Sequence, residues 1–155
     1  MNIRNARTTP TAPSQALRRP DVSIVAWLRL HRVFQKLDQA FTDEFRRDGL
    51  SVGQFDVLAQ VGAAEGATQQ QVADALLVTK SNVCQLLDRM EKAGLVERRQ
   101  HGRTNHLYLT PEGKRLHDRI VPAHERHIAE KFAALTSAEQ TTLLKLLRKL
   151  DHTLG

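Results

Sequence analysis

Cysteine is nearly absent from this chain, which has only Cys84 among its 155 residues. A single cysteine excludes an internal disulfide and is typical of a protein in a reducing compartment. Long apolar runs are also missing, since the stretch SIVAWL at 23–28 is far shorter than the roughly 20 residues of a membrane-spanning helix. The N-terminus lacks the apolar block of a secretory signal. These absences predict a cytoplasmic protein that does not associate with membranes.

Aromatic residues are scarce as well, at 5% of the chain, so aliphatic side chains must form most of the core. The length and the hydrophobic content of 41% suffice for one domain. Residues 1–20 contain four arginines, three prolines and no acidic residue, and we predict a disordered basic N-terminal arm there. The formal net charge is +6, of which this arm supplies +4. Charge alone therefore supports an anionic partner only weakly.

Apolar residues at steps of three and four predict helices over most of the chain after residue 20. The first helix is expected over residues 21–48 and should end at Gly49. Side-chain caps mark the later helix starts. They are the capping boxes Ser51–Gln54, Thr68–Gln71 and Thr136–Glu139, the single cap Thr79, and the pair Thr110–Pro111.

Residues 68–110 combine two short helices with a strand–tip–strand hairpin. Gly94 suits the left-handed position after the second helix. Leu77, in the turn between the helices, is expected to avoid a left-handed conformation. Two helices followed by a hairpin make a winged helix-turn-helix. The predicted fold class is therefore mainly α with a small β wing. The inward face of the second helix is predicted to comprise Val83, Leu86, Leu87 and Met90.

The hairpin carries Arg98, Arg99 and Arg103 around its tip. A projecting hairpin can lie along a DNA backbone and reach the minor groove, whose negative potential attracts arginine. The preceding helix has the size to enter the major groove. We therefore predict that all three arginines contact DNA. The alternative is a solvated hairpin whose arginines have no partner of this kind.

The segments LSVGQFDVL, VADALLVTKSNV, LLDRMEKAGLVERR and LTPEG follow one another between residues 50 and 113. In this order they resemble the MarR family of bacterial transcriptional regulators, and the pattern extends over residues 21–153. The resemblance implies a homodimer in which residues 21–48 and 111–155 form dimerisation helices and residues 49–110 bind DNA. Two recognition helices ~34 Å apart would read a pseudo-palindromic operator. No cofactor is implied.

The resemblance also assigns roles within the second helix. Gln85 has the geometry to pair with adenine, although many relatives have arginine at this position. Arg89 is placed for a phosphate, or for pairing with Asp88 and Glu91 on a solvated face. The residues that match the DNA-facing helix start of the family are Thr79, Lys80, Ser81 and Asn82.

The wing departs from the family pattern at its tip. Relatives usually have an Asp-x-Arg pair whose acid holds the arginine, whereas this chain has His101, Gly102 and Arg103. Glu97 is the candidate for holding Arg103 instead. A histidine at the tip would also make DNA binding weakly pH-dependent.

A small-molecule site is a further expectation, because relatives commonly respond to phenolic or aromatic acids. Trp27, His31 and Phe34 share one face of the first helix, and Phe55 is predicted to approach them. An aromatic and imidazole patch suits an anionic aromatic ligand. Core packing explains the same four residues equally well.

Two other kinds of sensing are weaker hypotheses. His117, His124 and His127 lie on one helix and are weak metal candidates, but structural zinc usually has four ligands. We predict instead that these histidines lie on a solvated face of the helix. Cys84 lies in the second helix, where a redox switch would need an accessible thiol with a depressed pKa. We predict instead that Cys84 is a small, partly buried residue with a structural role.

The function predicted from these features is a homodimeric, sequence-specific regulator of transcription that binds double-stranded DNA, and a repressor released by a small ligand. The alternatives are a metal- or redox-responsive regulator and a winged-helix protein-interaction module that does not bind DNA. An enzyme has little support. The sequence has no glycine-rich phosphate loop, metalloprotease spacing or nucleophile–base motif.

Overall fold

A computed structural model describes residues 21–154, so the predicted N-terminal arm lies outside the described residues. The described chain is mainly helical with one two-stranded antiparallel wing, which confirms the predicted fold class. No helix within this range is long and apolar enough to cross a bilayer. The chain forms two compact units with their boundary inside the first helix, between Gln39 and Ala40. The elements are α1 (Val22–Arg47), α2 (Val52–Ala63), α3 (Gln69–Ala75), α4 (Lys80–Lys92), β1 (Val96–His101), β2 (Thr104–Leu109), α5 (Pro111–Phe132) and α6 (Ser137–Leu154).

The predicted caps set the helix starts. Ser51 and Thr68 each accept a hydrogen bond from the backbone of a glutamine three residues later, and that glutamine returns the bond. Glu139 accepts from both the backbone N–H and the hydroxyl of Thr136, and these bonds hold the pKa of its carboxyl below the ordinary value. Because each cap satisfies backbone donors that a helix leaves free, the starts of α2, α3 and α6 are fixed locally.

The core of the second unit lies between α2, α3, α4 and the wing. In α4 the apolar residues recur at steps of four and three, so that they share one face of the helix. Leu86 is only partly buried at the edge of this face, while the other three predicted inward residues are fully buried. The residues with no exposed surface include Val57, Leu58, Val61, Val72, Val83, Leu87, Met90 and Leu107. Burial of this face leaves the opposite face of α4 in solvent.

The wing is anchored at its base by the loop between α2 and α3. Leu107 donates its N–H to the carbonyl of Ala67 at 2.9 Å and accepts from the N–H of Gly66 at 2.8 Å. Thr68 and His106 form an isolated antiparallel bridge beside these bonds. At the other end of the hairpin, Gly102 takes the left-handed conformation of the tip with φ +62°. The loop between α2 and α3 therefore holds β2 at the end of the strand that lies next to the core.

The prediction for Leu77 was wrong, because this residue has φ +54° and lies in the left-handed region. The turn after α3 closes with two bonds that need this conformation, from Val78 N–H to Ala73 O at 3.0 Å and from Leu77 N–H to Asp74 O at 3.2 Å. These are the two bonds of a Schellman ending. The gain from closing the helix end and starting α4 at once outweighs the steric cost of the leucine Cβ.

Replacement of Leu77 by glycine is expected to stabilise the protein by roughly 0.5–1 kcal/mol, because glycine removes the left-handed penalty. The leucine side chain is 91% exposed, so little packing is lost. The melting temperature at fixed protein concentration should rise by about 1–4 °C. Leu77→Ala is the matched control, since it removes the side chain but keeps the backbone penalty. Equal effects of glycine and alanine would contradict this explanation.

Candidate nucleic-acid interface

The solvent face of α4 carries the residues that were predicted to face DNA. Ser81, Asn82, Gln85 and Arg89 are exposed together on this face. Thr79 caps the helix, and its hydroxyl accepts from the N–H of Asn82 at 3.2 Å. The first turn of α4 contains no acidic residue, so the positive end of the helix dipole and the exposed side chain of Lys80 act in the same direction. A helix start of this kind favours a phosphate.

Arg89 does not pair with the neighbouring acids. Asp88 and Glu91 both bind Arg98 of the wing instead. The side chain of Arg89 is exposed and forms no hydrogen bond or ion pair within the described residues. The cation of Arg89 is therefore available to a partner outside the chain.

The three wing arginines have different surroundings. Arg103 lies exposed at the tip and has no recorded ion pair or hydrogen bond within residues 21–154. Arg99 is 56% exposed, pairs with Glu97, and places its guanidinium 4.3 Å from the ring centre of Tyr108. Because Glu97 pairs with Arg99, the hypothesis that it holds Arg103 was wrong. Arg103 therefore has fewer partners within the described residues than Arg98 or Arg99.

Arg98 is turned towards the protein, with a side chain that is only 17% exposed. Its guanidinium binds Glu91 and lies 2.8 Å from Asp88 and 3.2 Å from the carbonyl of Cys84. The structure thus gives Arg98 internal partners, where the sequence analysis placed a DNA contact. A signal was present in the sequence, because residues two apart on a strand share a face. Val96, which is 2% exposed, already marks the face of Arg98 as the inner one.

Two histidines of the wing lie next to one another. His101 at the tip and His106 on β2 have ring centres 5.2 Å apart. The Nδ1 atom of His106 lies 2.6 Å from the carbonyl oxygen of Gly66. Since a carbonyl can only accept, Nδ1 carries the proton. His106 thus ties the wing to the loop between α2 and α3, a role that the sequence analysis did not assign.

The predicted small-molecule residues fall into the two units. In the first unit, Trp27 and His31 stack with ring centres 5.9 Å apart, and both are exposed, as is Phe34. In the second unit, Phe55 is 4% exposed and stacks on Phe45 at 3.9 Å. Core packing therefore accounts for Phe55. A ligand site that uses all four residues stays a prediction.

A groove of about 480 Å³ lies beside α2 and α5 in the second unit. Ala59, Leu76 and Val121 line its apolar part, and Asp56 and Glu125 are its acidic residues. Two carboxylates against the single imidazole of His117 disfavour an anionic ligand. This groove is therefore a poor match for the aromatic acids expected from the resemblance.

The three histidines of α5 are half-buried, so the expectation of a solvated helix face was wrong, and two of them share one carboxylate. His127 lies 2.8 Å and His124 lies 3.5 Å from the carboxylate of Glu44. His117 lies 2.9 Å from Asp118, and its ring covers Gly62 closely enough that a Cβ there would be 2.3 Å away. Within the described residues, no three His, Cys, Asp or Glu side chains are arranged to hold a metal ion.

Cys84 is partly buried on α4, and its thiol lies 3.8 Å from the side-chain amide of Gln69. Its carbonyl accepts from Arg98, so the cysteine backbone belongs to the contact between α4 and the wing. These contacts fit a structural residue. Redox sensing by this thiol stays a hypothesis.

Comparison with known proteins connects this surface with transcription. Residues 48–104 match the sequence model of the MarR family. The HTH-type transcriptional regulator PecS of Dickeya dadantii is 30% identical over 142 residues, which cover 86% of this chain and 86% of PecS. The matched segment contains α2, α3, α4, β1 and the tip of the wing. The similarity to PecS extends well beyond it.

Solved structures show the same fold. FabT of Streptococcus pneumoniae, solved in complex with DNA, is 23% identical with a TM-score of 0.73, over 86% of this chain and 97% of FabT. PcaV of Streptomyces coelicolor, solved with its natural ligand, is 24% identical with a TM-score of 0.67, over 79% of this chain and 92% of PcaV. Fold, family model and relatives agree, and the relatives are regulators and not enzymes. The chain belongs to the MarR family of winged helix-turn-helix transcriptional regulators.

Proposed function

We propose that this protein is a homodimeric repressor that binds a pseudo-palindromic operator in double-stranded DNA and leaves it when a small ligand binds. The observation that carries the proposal is the exposed polar face of α4 beside the free cations Arg89 and Arg103. The DNA complex of FabT, which has the same fold, supports this use of the surface. The protein would act in the cytoplasm, where bacterial DNA is.

The DNA contacts divide by chemistry. Gln85 presents an amide that can pair with adenine in the major groove, whereas the cations of Lys80 and Arg89 suit phosphates. Arg103 is the candidate for the minor groove, and Arg99 can join it by leaving Glu97. The short polar side chains at the helix start, Thr79, Ser81 and Asn82, suit a phosphate or a base edge.

Exposed apolar residues in both units support the homodimer. In the first unit, Val22 is 81%, Trp27 is 61% and Phe34 is 63% exposed. In α6 of the second unit, Leu146 is 57% and Leu150 is 55% exposed. Patches of this kind usually mark an interface. A second copy would cover them and place two α4 helices for successive major grooves.

The effector is proposed from the likeness to PcaV, which was solved with its natural ligand. A ligand that binds more tightly to one spacing of the two DNA-binding regions of the dimer would shift the protein towards that spacing. The exposed pair Trp27 and His31 is the candidate aromatic contact.

Substitution of DNA-facing residues tests the proposal. On an operator selected from random duplexes, Arg103→Ala should weaken binding to all sequences and lower the slope of log affinity against log salt by about 1. Gln85→Ala should instead change the preferred base, by roughly 1–3 kcal/mol of discrimination. Arg126→Ala, an exposed arginine of α5, is the control. Full affinity of both variants would refute these contacts, and a shallow salt slope of the unaltered protein would favour a protein-interaction module.

A further inference from the structure

We infer that Arg98 is a positioning residue of the DNA-binding surface: it joins the wing to the recognition helix α4 and does not itself bind DNA. The inference rests on the proposed function and deepens it, because it concerns how the two DNA-reading elements are held at a fixed angle. It also gives an account of Asp88 and Glu91, two acidic side chains that lie next to a surface meant for phosphates.

The guanidinium of Arg98 has acceptors on two helices. Nη1 binds Glu91, and Nη2 donates to Asp88 at 2.8 Å and to the carbonyl of Cys84 at 3.2 Å. Nε lies 2.7 Å from the amide oxygen of Gln69 on α3, in the amide orientation that satisfies both groups. The backbone N–H of Arg98 also donates to Glu91 at 3.0 Å. One side chain of β1 thus binds α3 and α4 together.

These partners leave Arg98 little capacity for DNA. An arginine has five N–H donors in a planar fork, and acceptors within the chain already occupy the three nitrogens. The local charge also opposes a phosphate, since one guanidinium faces two carboxylates. Release of Arg98 would leave Glu91, which is 32% exposed, without its partner in a partly desolvated position.

The side of α4 that binds Arg98 lies next to the side that is proposed to contact DNA. Cys84, Asp88 and Glu91 follow one another at steps of four and three, so they share one side of the helix. Gln85 and Arg89 each follow a member of this set by one residue. Because β1 is bonded along two turns of α4, the wing cannot tilt without breaking these bonds. The network therefore sets where the tip with Arg103 stands relative to Gln85.

Removal of the Glu91 carboxylate distinguishes a positioning role of Arg98 from a phosphate contact, because the two roles predict opposite changes in operator affinity. Glu91→Ala should weaken operator affinity about tenfold, although it removes a negative charge near DNA, because the wing loses its attachment. If Arg98 were a phosphate contact, the same change would free it. Binding would then tighten, and the salt slope would steepen by about 0.9. Glu97→Ala is the matched control, because Glu97 pairs with Arg99 on the outer face and its loss should not weaken binding.

A second set of variants tests the coupling. Arg98→Met keeps the aliphatic stem and should weaken binding at least as much as Glu91→Ala, because it also removes the bonds to Asp88 and to the carbonyl of Cys84. The loss in the double variant should be smaller than the sum of the two single losses, because both single variants remove the same Arg98–Glu91 pair. Additive losses would overturn the inference, as would tighter binding by Glu91→Ala.

Hydrogen exchange of the free protein gives a readout that needs no DNA. The amide of Arg98 and the amides of β2 should exchange faster in Glu91→Ala than in the unaltered protein. In Glu97→Ala the exchange rates of the same amides should not change. Unchanged exchange in Glu91→Ala would refute the positioning role. If the unaltered protein bound no duplex, the proposed function would fail, and the exchange rates would still decide whether Arg98 holds the wing.

Discussion

Replacement of Gly113 by alanine is expected to destabilise the protein by about 3 kcal/mol or more, a larger cost than overpacking usually has. A Cβ at this position would lie 1.9 Å from the carbonyl oxygen of Leu95 and 2.8 Å from its carbon. The collision is with backbone, which cannot rotate away as a side chain can. The first turn of α5 would have to move, although Thr110 ties it to Leu95 by a 3.1 Å backbone bond and to Gly94 by a 2.5 Å hydroxyl bond.

Thermal unfolding at fixed protein concentration checks this result, and the melting temperature should fall by about 6–12 °C. Gly53→Ala is the matched control, because Gly53 is also helical and its new Cβ would meet only the flexible Leu86 side chain at 3.2 Å. Alanine is a better helix former than glycine, so this control should be neutral or stabilising. A melting temperature for Gly113→Ala within 2 °C of the unaltered protein would contradict the contact.

Introduction of a charge into the leucine stripe of α6 is expected to convert the proposed dimer into monomers. Leu150 is 55% exposed in the single chain, and a second copy would have to bury the carboxylate of Leu150→Glu without a partner. Light scattering after size-exclusion chromatography should show half the mass at micromolar concentration. Operator affinity should fall by about a thousandfold, because one recognition helix binds only a half-site.

Lys149→Gln is the control for the dimer experiment. It changes the net charge by the same one unit as Leu150→Glu and lies next to it on α6, but it leaves the leucines in place. It should keep both the dimer mass and most of the operator affinity. If Leu150→Glu also kept the dimer mass, the proposed interface on α6 would be wrong.

The order and the ends of the elements could be read from the sequence, because the interactions that set them are local. A capping box joins residues three apart, as at Thr68 and Gln71. The inward face of α4 follows from helical spacing within 13 residues. The same local reasoning failed at Leu77, because the conformation of a tight turn is set by the two elements that it must join, and a modest penalty at one residue is outweighed.

The distribution of charge across the DNA-binding surface was decided only by the tertiary structure. Arg98, Arg99 and Arg103 look alike in the sequence, and the register of β1 against β2 turns Arg98 inward and Arg99 outward. Asp88 and Glu91 are bound by Arg98 from the wing, which leaves Arg89 available. The local sequence left the alternative that Arg89 pairs with Asp88 and Glu91 open. An ion pair depends on the distance between groups far apart in the chain, and packing of the wing against α4 is what brings them together.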